Sequence, residues 1–126
     1  MGPRLEAPDE ELLRTVHPDY VVGGEVTYRA FVPIKTDGTL LSVDEGKKTT
    51  AEQARERRIA LGRKCVAVAV VIVAEVEEVG LCAYEDPIEE NPAHAVVDFA
   101  LQGSDPRALA SHFADVAQDR GLRAQG

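Results

Sequence analysis

The chain has no tryptophan, and aromatic residues make up only 5% of it. Stacking platforms for single-stranded nucleic acid are therefore scarce. A positive excess is missing as well: 14 Lys and Arg stand against 22 Asp and Glu, a net charge of −8 over 126 residues. Phosphates would be repelled over most of such a surface, which argues against general nucleic-acid binding. There are two cysteines, Cys65 and Cys82, spaced neither as CxxC nor as a zinc knuckle, so free thiols are expected. His17, His94 and His112 lack ligand spacing, and no metal is expected. No apolar run reaches the length of a membrane helix. The first eleven residues have no apolar signal core, and Gly2 is followed by Pro3, with Glu6 where a myristoylation site wants Ser or Thr. These absences lead to an expected cytoplasmic protein without membrane association.

Local motifs are equally sparse. Ser42, Ser104 and Ser111 lack a G-x-S-x-G context, and Gly23-Gly24 is no phosphate loop. No cofactor and no cofactor-binding residue is expected.

What is present is a core. Hydrophobic residues reach 44%, enough for one folded domain at this length. Cys65 to Ala74 reads Cys-Val-Ala-Val-Ala-Val-Val-Ile-Val-Ala, uncharged and rich in β-branched residues. Such a strand has to be covered on both faces, which suggests the middle of a sheet. Around it, residues 1–8 read as a disordered tail, with a single domain over 9–126. A short helix is expected from Asp9 to Val16, closed by His17-Pro18. Glu25 to Val32 alternates with a period of two, as a strand does. Asp37-Gly38 suits a tight hairpin turn before a strand over Thr39–Val43. Thr49-Thr50-Ala51-Glu52 reads as a capping box opening a helix that stops at Gly62. A short helical turn follows the buried strand at Val73–Val79. Gly80 to Pro92 reads as a long irregular loop. His94 to Leu101 is a strand with Ala95, Val97, Phe99 and Leu101 on its apolar face. Ser104-Asp105-Pro106 begins a last helix whose stripe is Leu109, Phe113, Val116 and Arg120, ended by Gly121. The expected class is α+β: one compact domain of about four mostly antiparallel strands, two main helices on one face, and strand 65–74 at the centre.

Charge is unevenly placed. Lys47, Lys48, Arg55, Arg57, Arg58, Arg63 and Lys64 are packed together, opposed only by Glu52 and Glu56. Glu75, Glu77, Glu78, Glu85, Asp86, Glu89 and Glu90 form an acidic run with no basic residue between them. A basic face and an acidic face could each steer a partner. The candidate interaction residues are Glu85, Asp86, Glu89, Glu90, Arg55 and Arg58. His94 and Asp98 share a strand face but lie about 13 Å apart along it, too far for a dyad.

One constellation points to chemistry. Arg29 sits beside Thr27 on a strand, and Ser42 and Glu45 follow on the next element. This set is similar in residue type to the Arg–Ser–acid arrangement of small ADP-ribosyltransferase-like toxins, over about 20 residues of the chain. The resemblance implies that Arg29 would hold dinucleotide phosphates while Ser42 and Glu45 position ribose.

Two functions follow as expectations. The first is a small acidic bacterial protein, accessory, antitoxin-like or immunity-like, that binds a protein partner without catalysis. The alternative is a nucleotide- or dinucleotide-directed transferase or hydrolase using Arg29, Ser42 and Glu45, with His94 nearby. A concave pocket joining Arg29, Ser42 and His94 would favour the enzyme.

Overall fold

The apolar run around Val70 lies between two helices in the computed structural model, which describes residues 1–34, 38–100, 103 and 105–125. In chain order, the strands are β1 (Glu11–Val16), β2 (Val21–Val22), β3 (Glu25–Val26), β4 (Leu40–Glu45), β5 (Ala67–Ile72), β6 (Cys82–Glu85) and β7 (His94–Asp98). The helices are α1 (Ala51–Ala60), α2 (Val73–Glu78) and α3 (Pro106–Arg120), with short 3-10 turns at Pro18–Tyr20 and Tyr28–Phe31. Among the described residues the main sheet has five strands in the order β5-β1-β4-β7-β6, every neighbouring pair antiparallel. β2 and β3 form a separate two-stranded ribbon. The α+β class holds.

The positions within it differ from the sequence reading in ways that have physical causes. β5 is at the end of the strand order rather than at the centre. Its burial needs cover on both faces, and helices supply that without central placement. Ala69 and Val71 join the larger core with Ala110, Phe113, Ala114 and Ala117 of α3. Val68 and Val70 face the other way, against Leu13 and Ala51. The two main helices therefore cover opposite faces, not one. The outer edge of β5 is closed by the chain itself: Val68 and Arg123 exchange two backbone hydrogen bonds of 2.7 and 2.8 Å. Arg120 adds a bond to the Val70 carbonyl at 2.9 Å. Arg123 also grips Glu11 through two bonds of 2.7 Å, and this pairing holds the Glu11 carboxyl below its ordinary range.

The segment expected as a first helix is strand β1. Leu12 and Val16 point into the larger core and Leu13 into the smaller one. A six-residue ladder with β5 outweighs the weak local helix preference of Glu-Leu-Leu-Arg. Glu25–Val32 is a strand only through Val26; Tyr28–Phe31 then turns, and buries Ala30 and Phe31. Phe31 packs on Phe113, which packs edge-on against Phe99, so the three phenylalanines of the chain form one cluster. The expected loop 80–92 contains β6, hydrogen-bonded along β7. Where a frayed tail was expected, Leu5 is buried, and residues 2–5 run along the outer edge of β6 through bonds with Ala83 and Glu85. The strand expected over 94–101 has its apolar face on Ala95, Val97 and Phe99. The turn residue Asp37, together with Leu101 and Ser104, lies outside the described residues.

α3 begins as its sequence suggests, with Asp105 accepting from the Arg107 amide at 3.0 Å and Pro106 in the first turn. α1 is capped one residue later than the sequence pattern suggests. Thr50, not Thr49, accepts from the Gln53 amide at 3.2 Å, and the Gln53 side chain returns to the Thr50 amide at 3.1 Å. Thr49 is buried beneath it. Gly46 allows β4 to pass close to β1: a Cβ there would meet the Glu11 Cβ at 2.9 Å and its carbonyl at 3.0 Å.

The cap assignment gives a direct test. Thr50→Ala should destabilise the fold by about 0.5–2 kcal/mol in chemical denaturation, with an unchanged slope against denaturant. No loss of midpoint in this variant would remove the cap.

Candidate functional site

β1 and β4 pair only at Leu12↔Glu45 and Leu13↔Asp44. Each keeps a longer ladder on its other side, six pairs with β5 and five with β7. Past Leu13 the two strands separate. Arg14 fills the gap, its Nε donating to the Ala30 carbonyl at 2.8 Å and Nη1 to the Ser42 carbonyl at 2.9 Å. A cleft of about 560 Å³ opens at this split. Residues 13–15 and 42–44 line it from the strands, Ala54, Arg57, Arg58 and Leu61 from the end of α1, and Ile88, Glu90, Asn91 and His94 from the other side. Its volume is within the usual range for small-molecule sites, and its lining combines apolar side chains such as Leu13, Ala54 and Ile88 with a larger set of polar and charged ones.

Register brings the reactive groups together. Ser42 lies opposite Val96, and Asp44 lies opposite His94. Opposed residues share a face, so Ser42, Asp44 and His94 all point to the α1 side. The Ser42 Oγ is 3.2 Å from the His94 Nε2. The other ring nitrogen, Nδ1, is 2.8 Å from the backbone carbonyl of Asp86 and 3.3 Å from its carboxylate. A carbonyl oxygen only accepts, so Nδ1 carries the proton. Nε2 of the neutral ring then has a free lone pair facing the serine hydroxyl. The side chain of His94 is 17% exposed. Asp86 also lies 3.4 Å from the Met1 amine.

A second layer fixes the cleft wall. Asn91 donates to Asp44 at 2.7 Å and accepts from the Ala93 amide at 3.1 Å. Asp44 in turn meets Arg57 at 3.4 Å, and Arg57 also reaches the Thr49 hydroxyl at 3.4 Å. The Arg58 carbonyl accepts from the Leu61 and Arg63 amides at 3.2 Å, while its guanidinium makes no hydrogen bond or ion pair with any described residue. Its pKa is lowered first by partial burial and then by the charge of Arg63.

Of the sequence candidates, Ser42 and His94 meet. Arg29 does not line the cleft; it is exposed, with its guanidinium 4.8 Å above the Tyr20 ring. Glu45 is buried and turned elsewhere, with Lys48 at 2.9 Å. Lys48 also bonds Glu85 at 2.8 Å, and the two carboxylates hold its pKa well above the usual range. Arg55 donates to the Cys65 carbonyl at 3.4 Å. Of the acidic run, Glu85 and Asp86 are engaged within the chain, whereas Glu89 and Glu90 are exposed. Sequence reasoning missed Asp86 as the partner of His94, and missed Arg14, Asp44 and Asn91 altogether. Asp86 lies opposite His94 because the β6–β7 ladder continues through an Asp86 amide bond to the His94 carbonyl at 3.0 Å.

Glu45 has a further neighbour. Glu10, also buried, lies near it, and one Glu10 oxygen lacks a hydrogen-bond partner among the described residues. Burial, and then the charge of Glu45, raise the Glu10 pKa above its usual range, although Lys47 at 3.9 Å opposes the shift. A raised folded-state pKa contributes stability below the unfolded pKa and loses it as pH rises through the folded value. Glu10→Gln should therefore gain stability relative to the parent at about pH 7 and gain less at about pH 4, near the ordinary carboxyl value. Denaturation midpoints at the two pH values check this; an equal difference at both would exclude a raised Glu10 pKa.

Compared with known proteins, the chain matches no family model, and no curated protein or solved structure is similar to it.

Proposed function

We propose that this chain is a small hydrolase that uses Ser42 as nucleophile, His94 as general base and Asp86 to orient the imidazole. The observation that carries the reading is the 3.2 Å contact between Ser42 Oγ and His94 Nε2, with Nδ1 held by Asp86. Those are the roles and spacings of an activated serine, which is recognised by geometry and not by sequence order. It takes up the alternative read from the sequence, a transferase or hydrolase, keeps its Ser42 and His94, and replaces Arg29 and Glu45 with Asp86. In an ester substrate, Ser42 Oγ would bond to the acyl carbon while Nε2 takes the hydroxyl proton. The alkoxide then leaves, with that proton, as an alcohol. Water, deprotonated by the same nitrogen, cleaves the acyl–serine bond and releases the acid. The apolar side chains of Leu13, Ala54, Leu61 and Ile88 favour a substrate with hydrocarbon character.

Recognition of a protein partner is a second reading, favoured by exposed apolar side chains among the charges. Ile59 and Leu61 stand 48% and 62% exposed near Arg55 and Arg58, and Ile88 is 45% exposed beside Glu89 and Glu90. Such residues are common at interfaces when they cluster.

Two experiments separate these functions. A fluorophosphonate probe should label wild-type protein at Ser42, located by peptide mass, and should not label Ser42→Ala. His94→Gln should retain the parent melting temperature and lower aryl-ester turnover by about 10²–10⁴-fold. An unlabelled, inactive wild type would end the hydrolase reading. If binding of a protein dominates, reversing Glu89 and Glu90 to Lys should slow association with a basic partner and weaken its salt dependence, with dissociation little changed. An unchanged on-rate would remove those two residues from any interface.

A further inference from the structure

We propose that the cleft selects an ester carrying a separate carboxylate, and that Arg58 is the residue that recognises it. This deepens the hydrolase reading and rests on it. The protein as a whole carries −8, yet Arg14, Arg57 and Arg58 line this cleft against Asp44 and Glu90. Two of the three arginines are already committed. Arg14 bonds the carbonyls of Ala30 and Ser42, and Arg57 faces Asp44. Arg58 alone presents a guanidinium without a hydrogen-bond or ion-pair partner among the described residues.

Arg58 is exposed at the cleft, and an unpartnered guanidinium is matched best by a planar, bidentate anion, a fork that carboxylate fits. The cation surplus is small, because Asp44 and Glu90 share the same lining. That balance fits a monoanion better than a phosphate dianion, which would meet both carboxylates. Arg58 stands on the last turn of α1, so its backbone is fixed by a capped helix. The cleft thus offers an anion contact on the helix side and the Ser42–His94 pair on the sheet side. An acyl chain with a terminal carboxylate would span the apolar floor between them.

The test uses a matched pair of aryl esters, an acetate and a hemisuccinate, with wild type and Arg58→Gln. The wild type should prefer the hemisuccinate. Arg58→Gln should lower the ratio of kcat/KM for hemisuccinate over acetate about tenfold, which corresponds to about 1.4 kcal/mol, mainly through KM. An unaltered ratio would overturn the assignment of Arg58. A second measurement does not need turnover. Monomethyl succinate, a monoanion, is titrated into Ser42→Ala and into Ser42→Ala/Arg58→Gln, followed by amide shifts of residues 54–61. The double variant should bind about tenfold more weakly. If neither ester is hydrolysed but this loss is seen, the nucleophile is wrong and the anion site stands. If the esters are hydrolysed and monomethyl succinate binds both variants equally, the nucleophile stands and the anion site falls.

Discussion

Arg14 stands between two strands that have stopped pairing. β1 and β4 share two residue pairs, and beyond them the backbone groups of β4 face a gap. A buried carbonyl without a donor would cost the full desolvation of that group. The guanidinium meets this demand for Ser42 and ties in Ala30 of the following turn as well. The separation of the strands can then persist in a folded molecule. Everything at the candidate site follows from it: the cleft exists because the sheet is split, and Ser42 lies on its rim because its own carbonyl is held by Arg14 instead of β1.

The strands that remain tightly paired supply the precision. The β4–β7 ladder sets Ser42 diagonal to His94, and the start of the β6–β7 ladder sets Asp86 opposite that histidine. Side chains carried on ladders are better fixed than those on loops, which matters when a hydroxyl has to sit within hydrogen-bond reach of a ring nitrogen. The helix α1 closes the assembly from one face, while the phenylalanine cluster under α3 anchors the other.

Local signals in the sequence carried local structure. The Asp105-Pro106 start of α3, the turn after Ile72 and the buried character of residues 67–71 were all legible, because caps, proline and uninterrupted β-branched runs act within a few residues. Strand order was not legible. Apolarity on both faces says that β5 is covered, not by which neighbours, and residues near Arg123 close its outer edge from far along the chain. β1 was misread because Glu-Leu-Leu-Arg satisfies a helix and a strand equally, and only its ladder with β5 decides. The site shows the same division. Ser42 and His94 were each visible as residue types, but their contact spans 52 positions and depends on register. Asp86 was read as one member of an acidic surface run, since nothing local marks it as the partner of a histidine. Arg29 resembles a phosphate-holding arginine in residue type alone, and the 3-10 turn at Tyr28–Phe31 aims it at Tyr20 instead.

Both outer edges of the main sheet are occupied by the chain's own backbone, β5 by the Arg123 segment and β6 by residues 2–5. An open edge is a template on which another polypeptide can add a strand, whether in recognition or in aggregation. Here part of that template is already in use at each end, at Val68 of β5 and along β6. A strand added at these positions would have to displace the chain's own backbone.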